Sequence, residues 1–505
     1  MIALDGNSLS LETFSRIVHG REPVSLAPAA KARLDKTRQW IDAAAKSDER
    51  VYSINTGFGV LSKVTIAKDQ LDQLQVNLIL SHCAGVGEIH SETESRAILL
   101  LRANVLAKGF SGVRAVVAET LIQMLNQGVH PVIPSQGSVG ASGDLAPLAH
   151  LASVLIGHGE AFVDGKRLSG ADALKQAGIT PVKLGPKEGL SLINGTQQMT
   201  GLGALLLLRA AQLADLADLT CAASLDGVLG TPRAYSAWVH ETRPFDGQKA
   251  SAQLLTRLMA GSEIYQSHVH CDRVQDPYSF RCAPQVHGAC RDLLGFVQKT
   301  LSTEINAATD NPLVHPETGE IVSQGNFHGQ PIAFALDILG MALAELGSLS
   351  ERRIAKLIDP SYSGLPCFLV ENEGLNSGFM IAHVTAAALV SENRLLTHPS
   401  STDSIPTNNE KEDHVSMGPM AARKAKTILQ NVEAILAIEM LCASQALDMR
   451  APLKPGVGPR WLLEKVRARV PRLKSDRPLT PDIEAITEII RSGTLFEEAR
   501  KGNLL

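Results

Sequence analysis

The chain has 505 residues, of which 44% are hydrophobic and 20% charged, with a net charge of −4 at neutral pH. That much apolar material supports a large core rather than disorder, and the lack of a long basic run leaves no electrostatic footprint for nucleic acid. Seven cysteines, at 83, 221, 271, 282, 290, 367 and 442, form no Cys-x-x-Cys pair and fit a reducing compartment.

Asp5 and Glu12 break any basic-then-apolar leader, so a cytoplasmic location is expected. Ala32 to Ala45, Glu92 to Ala107 and Val113 to Leu125 have the periodicity of amphipathic helices, punctuated by Gly109, Gly112 and Gly128. Ala161 to Val163, followed by Asp164-Gly165, predicts a strand and hairpin turn. The apolar run Leu202 to Leu208 ends at Arg209, well short of the roughly 20 residues of a spanning helix, so no membrane partner is expected.

Beyond Asn194 the predicted helices are long: Gln197 to Ala223, Pro284 to Asn306, Pro331 to Ile358, Gly374 to Leu396 and Ala421 to Asp448. In the last, Ile428, Val432, Ile435 and Leu436 share a face. Such helices are more easily buried in a bundle or between subunits than in a monomer, which predicts a homo-oligomer. The expected class is mainly α. Residues 1–200 form a mixed, mostly helical part, 201–450 a long-helix bundle, and 451–505 a tail of short helices set off by the Pro/Gly-rich stretch Pro452 to Arg460. The tight cluster His268-Val-His270-Cys271 lacks common zinc spacing, and no metal is expected.

The run Gly140-Ala141-Ser142-Gly143-Asp144 is where the backbone itself can react. Gly143 permits backbone angles that bring its nitrogen back to the Ala141 carbonyl. Closure there, with loss of the Ser142 hydroxyl, makes a five-membered ring bearing an exposed methylidene. Taken by itself the run also suits a tight turn entering a helix at Leu145, with Asp144 at the N-cap. It lacks the Gly-Lys-Ser/Thr of a phosphate loop and the last glycine of a nucleophile elbow.

Seven motifs in order decide between these readings: Tyr52-Ser-Ile-Asn-Thr-Gly-Phe-Gly59, Ser81-His82, Gly140 to Asp144, Asn194-Gly-Thr-Gln197, Gln275-Asp-Pro-Tyr-Ser-Phe-Arg281, Gly325-Asn-Phe-His-Gly-Gln330 and Glu412-Asp-His-Val-Ser-Met-Gly418. With them the chain resembles, nearly end to end, the aromatic amino acid ammonia-lyases, and most closely their histidine-specific branch. The resemblance implies a mainly α homotetramer with each active site built from three chains. It also implies a 4-methylidene-imidazol-5-one formed autocatalytically from Ala141, Ser142 and Gly143, with no external cofactor.

The resemblance gives each matched residue a role. Tyr52 matches the base, whose phenol, near pKa 10 when free, must be lowered to act near neutrality; helix N-termini aimed at the site would help. Tyr278 is a second phenol near ring and substrate, and Arg281 the carboxylate clamp. Asn194 and Gln275 are neutral hydrogen-bonding groups around the amino acid head and the ring, and Phe327 packs near the modified loop. Asn326 and His328 are structural.

The polar pair Ser81-His82 resembles that of the histidine enzymes and suits an imidazole, whereas a phenyl ring would leave these groups unpaired, and Glu412 matches the glutamate that meets the imidazole in those enzymes. The resemblance thus implies elimination of ammonia from L-histidine to trans-urocanate, the first step of histidine degradation. The open alternatives are a tyrosine or phenylalanine ammonia-lyase, an aminomutase, a lyase on a histidine betaine such as ergothioneine and, from another class, a serine hydrolase using Ser142. Lys411 departs from the family pattern, and its ammonium would compete with the imidazole if it reached Glu412.

Overall fold

The computed structural model describes residues 1–47 and 49–505. The protein is mainly α, and its described strands form four small sheets of two or three strands each. The chain divides into two compact units: Met1–Leu205 with Gln298–Asp337 and Pro399–Arg423, and Leu206–Val297 with Ile338–His398 and Lys424–Leu505.

In the first unit the helix Glu92–Ala107 opens on a capping box between Ser91 and Glu94. Its periodicity predicts an amphipathic helix, but every residue from Glu94 to Ala107 is buried. The polar positions find remote backbone partners instead of water. Arg96 donates to the carbonyls of Ile17, Val18 and Leu125 at 2.9, 3.1 and 3.0 Å, and Asn104 to that of Ile305 at 2.8 Å. Buried donors satisfied in this way need no solvent face.

The two other early helices span Pro28–Lys46 and Ala115–Asn126. The predicted hairpin pairs Glu160–Val163 with Lys166–Ser169. Asp164 and Gly165, with φ of 50° and 73°, form its two-residue turn, since two left-handed residues match the twist of the strands.

In the second unit, small residues set the helix spacing. A Cβ at Gly340 would stand 3.1 Å from Ile428 Cδ1, and one at Gly347 3.1 Å from Val432 Cγ2. The face formed by Ile428, Val432, Ile435 and Leu436 is buried. Inside this unit Glu439 accepts from Arg353 at 2.5 and 2.8 Å and from Ser224 and Ser350 at 2.6 Å, so the buried charge is paired and its lone pairs are used.

The long helices span Gln197–Gly227, Ala283–Glu304, Gln330–Leu357, Met380–Leu396 and Gly418–Met449. The helix expected from Gly374 begins only at Met380. Asn372, Gly374 and Gly378 have φ of 56°, 89° and 55°, which prevents helix before that point. Gln330–Leu357 and Gly418–Met449 have the length and composition to cross a membrane, a property not visible as an unbroken apolar run. Their most apolar stretches are 67% and 78% buried inside the protein, and that burial accounts for their character. The C-terminal helices are Val457–Arg467, Thr480–Arg491 and Thr494–Lys501.

Candidate active site

The Gly140–Asp144 loop is held from two sides. Gly195 N–H donates to the Ser142 carbonyl at 3.2 Å, and Asp144 N–H to the Gly195 carbonyl at 2.7 Å. A Cβ on Gly143 would stand 2.1 Å from the Gly195 oxygen, and one on Gly140 2.1 Å from Ser416 Oγ. Only glycine fits at either position. Ser142 itself is left-handed, at φ 52° between Gly140 at 73° and Gly143 at 74°. Ser138 Oγ donates to the Gly143 carbonyl at 3.2 Å and accepts from Gly140 N–H at 3.1 Å. Among the described residues the Gly143 N–H donates to nothing.

Asp144 precedes the helix Leu145–Leu155, but its side chain does not cap that helix. Its carboxylate accepts from Met199 N–H at 3.0 Å, at the start of Gln197–Gly227. Burial pushes Asp144 up to about 7 against the donation from Met199 and Gln198. The starts of two further helices, Gln330–Leu357 and Gly418–Met449, meet at the same place. Cβ atoms on Gly329 and Gly418 would each lie 2.6 Å from Met199 Sδ. Four helix N-termini therefore surround the loop and give the site positive potential.

A cavity of about 640 Å³ opens beside Ser142, with Tyr52, His82, Asn194 and Glu412 in its wall. A second, of about 680 Å³, is lined by Ala141, Ser142, Tyr52, Phe327, Lys411 and Glu412 among others. The first unit thus brings Tyr52, His82, Ala141, Ser142, Asn194, Phe327 and Glu412 into the walls of these two cavities.

The Tyr52 hydroxyl accepts from Gly59 N–H at 3.3 Å. Burial pushes the phenol up, the Glu412 charge adds to this, and only the Gly59 bond opposes it. Within one chain the shift is therefore opposite to the one expected for a base near neutrality. His82 ends the helix Leu71–His82, and its Nδ1 donates to the Leu78 carbonyl at 2.8 Å. Burial pushes this imidazole down. The neutral ring with a proton on Nδ1 leaves Nε2 as an acceptor.

Glu412 accepts from Thr407 Oγ1 at 2.7 Å on Oε2, and from Asn408 Nδ2 at 3.3 Å and Ser142 Oγ at 3.4 Å on Oε1. Lys411 and Glu412 both line the second cavity, and among the described residues no ion pair joins them. Asn194 is buried, with its carbonyl accepting from Arg102 Nη1 at 2.7 Å and its Nδ2 donating to the Asn311 carbonyl at 3.3 Å. Among the described residues its Oδ1 has no hydrogen-bond partner.

His328 donates from Nε2 to the His414 carbonyl at 3.2 Å and accepts on Nδ1 from Gln330 N–H at 3.3 Å, an arrangement that fixes one neutral tautomer. His268 directs both ring nitrogens at backbone carbonyls, of Ile264 and Gly230.

Gln275, Tyr278 and Arg281 lie in the second unit, and neither cavity takes a wall residue from them. Gln275 is exposed and Tyr278 is 69% exposed. The Arg281 guanidinium stands 4.6 Å over the Tyr278 ring, and among the described residues its buried Nε has no hydrogen-bond partner. Sequence reasoning missed Asn77, Leu78, Leu190 and Asn408, which also line the first cavity. Leu78 and Leu190 each precede a recognised residue by one helical turn, a usable signal.

The model of the aromatic amino acid lyase family matches residues 9–468. A histidine ammonia-lyase of Anaeromyxobacter dehalogenans is 54% identical, covering 98% of this chain and 99% of its own. Among solved structures, a histidine ammonia-lyase from Trypanosoma cruzi is 42% identical with a TM-score of 0.91, covering 99% of this chain and 95% of that one. A tyrosine aminomutase from Streptomyces globisporus is 39% identical with a TM-score of 0.94, covering 99% and 98%.

Proposed function

The chain belongs to the aromatic amino acid lyase family, and from that premise we propose that it is an L-histidine ammonia-lyase, releasing ammonia and trans-urocanate in the first step of histidine degradation. The observation that carries the substrate is the wall of the first cavity, where His82 and Glu412 face the same space as Ser142. His82 Nε2 is a ready acceptor for an imidazole N–H, and Glu412 a charged one. A phenyl ring would leave both without a partner at a cost of about 1–3 kcal/mol each, which speaks against a phenylalanine enzyme. A serine hydrolase needs a histidine on its nucleophile, whereas the partner of Ser142 Oγ is Glu412.

The loop fits formation of the methylidene-imidazolone. Among the described residues the Gly143 nitrogen donates no hydrogen bond, and Gly140 and Gly143 lie in cradles that a Cβ would fill. In closure the Gly143 nitrogen bonds to the Ala141 carbonyl carbon, whose oxygen leaves as water with the protons of the Gly143 and Ser142 nitrogens, so that the bond from Ala141 carbon to Ser142 nitrogen becomes double. The Ser142 hydroxyl leaves as a second water, taking a proton from Cα. Once formed, the group supplies an electrophilic carbon for the substrate amine.

The chain's own residues do the rest. Tyr52 takes the β-proton, with the Gly59 N–H stabilising its phenolate and the four helix N-termini supplying the potential that favours it. Asn194 offers its vacant Oδ1 as an acceptor at the amino acid head. Phe327 covers the loop from the second cavity. We further propose a cytoplasmic homotetramer in which neighbouring copies supply Gln275, Tyr278 and Arg281, Arg281 clamping the carboxylate. The exposure of Tyr278, together with exposed Ile381, Val384 and Leu395, supports this reading.

The test is steady-state kinetics with L-histidine for wild type and Tyr52→Phe. Loss of a general base predicts a fall in kcat of about 10²- to 10⁴-fold. An unchanged kcat contradicts the assignment.

A further inference from the structure

Five residues line both cavities of the first unit: Tyr52, Gly59, Ser142, Asn408 and Glu412. Asn408 has no part in the chemistry proposed above, yet its amide touches two of the others. Its Nδ2 donates to Glu412 Oε1 at 3.3 Å. A Cβ at Gly59 would stand 2.2 Å from that same nitrogen and 3.0 Å from Oδ1, so the amide rests directly on the Gly59 backbone. Gly59 N–H in turn donates to the Tyr52 hydroxyl at 3.3 Å.

The backbone that places Asn408 is unusual. Asn408, Asn409 and Glu410 are left-handed in succession, with φ of 53°, 51° and 61°. Asparagine tolerates that region better than most residues, and glutamate does not share the advantage. The turn is closed by Thr407 N–H to the Glu412 carbonyl at 3.0 Å, Glu412 N–H to the Thr407 carbonyl at 3.3 Å, and Lys411 N–H to the Asn408 carbonyl at 3.1 Å. Strained backbone held by surrounding bonds is characteristic of functional sites.

We infer that Asn408 is a positioning and specificity residue, which holds Glu412 Oε1 in place for the substrate imidazole and, through Gly59, ties that contact to the loop carrying Tyr52. The inference rests on histidine being the substrate. Before ring closure, Oε1 accepts from both Ser142 and Asn408. Closure expels the Ser142 hydroxyl as water and vacates one of these two places. A carboxylate oxygen accepts about two hydrogen bonds. Asn408 therefore keeps one place and leaves the other for the imidazole N–H, while Thr407 holds Oε2. Without the amide, Thr407 is the one remaining partner among the described residues that fixes the carboxylate about its terminal bond.

The test is a double-mutant cycle on the full-length protein with L-histidine, combining Asn408→Gly, which keeps the positive φ, with Glu412→Gln. Intact mass confirms in each variant that two waters have been lost. Asn408→Gly lowers kcat/KM about tenfold, mainly through KM, and by less than about twofold in the Glu412→Gln background. Asn408→Asp, which also tolerates the left-handed turn, gives the same coupling if the glycine variant does not fold. An undiminished loss in the Glu412→Gln background, failure of ring formation as the source of the loss, or no loss at all overturns the inference. Glu412→Gln without effect on histidine turnover overturns the substrate reading along with it.

Discussion

Ser142 Oγ lies 3.4 Å from Glu412 Oε1, although 270 positions separate the two residues in the chain. The hydroxyl proposed to leave during maturation is thus bonded to the carboxylate proposed to receive the substrate, which links the Gly140–Asp144 loop directly to the proposed pocket.

Ser142→Ala removes that hydroxyl. Intact mass is expected to show a chain that retains both waters, with circular dichroism unchanged and histidine turnover nearly abolished. Full activity in this variant contradicts the proposed mechanism.

His82→Leu removes the acceptor that the Leu78 carbonyl orients. A substrate donor left unpaired costs about 1–3 kcal/mol, so kcat/KM for histidine falls about 5- to 150-fold. Turnover of phenylalanine changes far less. An equal loss on both substrates shows that His82 does not read the side chain.

Lys411 is exposed and makes no ion pair with Glu412 among the described residues. Lys411→Gln therefore leaves kcat/KM for histidine within about twofold, in keeping with the small energies of exposed charges. A tenfold rise means that the ammonium competes with the imidazole.

Asp144→Asn probes the buried acid beside the loop. Burial raises this carboxyl to about 7 in the fold from 3.8. Between those values the folded chain holds a proton that the unfolded chain has lost. Its contribution to stability is therefore full below about 4, falls as pH rises towards 7 and is constant above. Urea midpoints of the variant are expected to decline less across that window than those of wild type. Parallel declines contradict the assignment.

The reactive triplet was legible because its chemistry lies in three consecutive residues, and the long helices because their periodicity is local. What could not be read depends on contacts distant in sequence. Arg96, Arg102 and Asn104 made Glu92–Ala107 look amphipathic, since their carbonyl partners are remote. Asp144 stands at the N-cap position of Leu145–Leu155, as its place in the sequence suggests, but its carboxylate accepts from the remote Met199 N–H in the first turn of Gln197–Gly227. Asn408 carries no chemical signature, and its place follows from three left-handed residues that no pattern announces. Gln275, Tyr278 and Arg281 were identifiable only from the family motif, because one chain does not place them in either cavity wall.

The most direct test is incubation of the purified protein with L-histidine, and in parallel with L-tyrosine and L-phenylalanine, measuring released ammonia together with the ultraviolet absorbance of the unsaturated acid. The account predicts equimolar ammonia and urocanate from histidine, formed faster than any product from the other two. Faster product from tyrosine, or a β-amino acid in place of free ammonia, would contradict it.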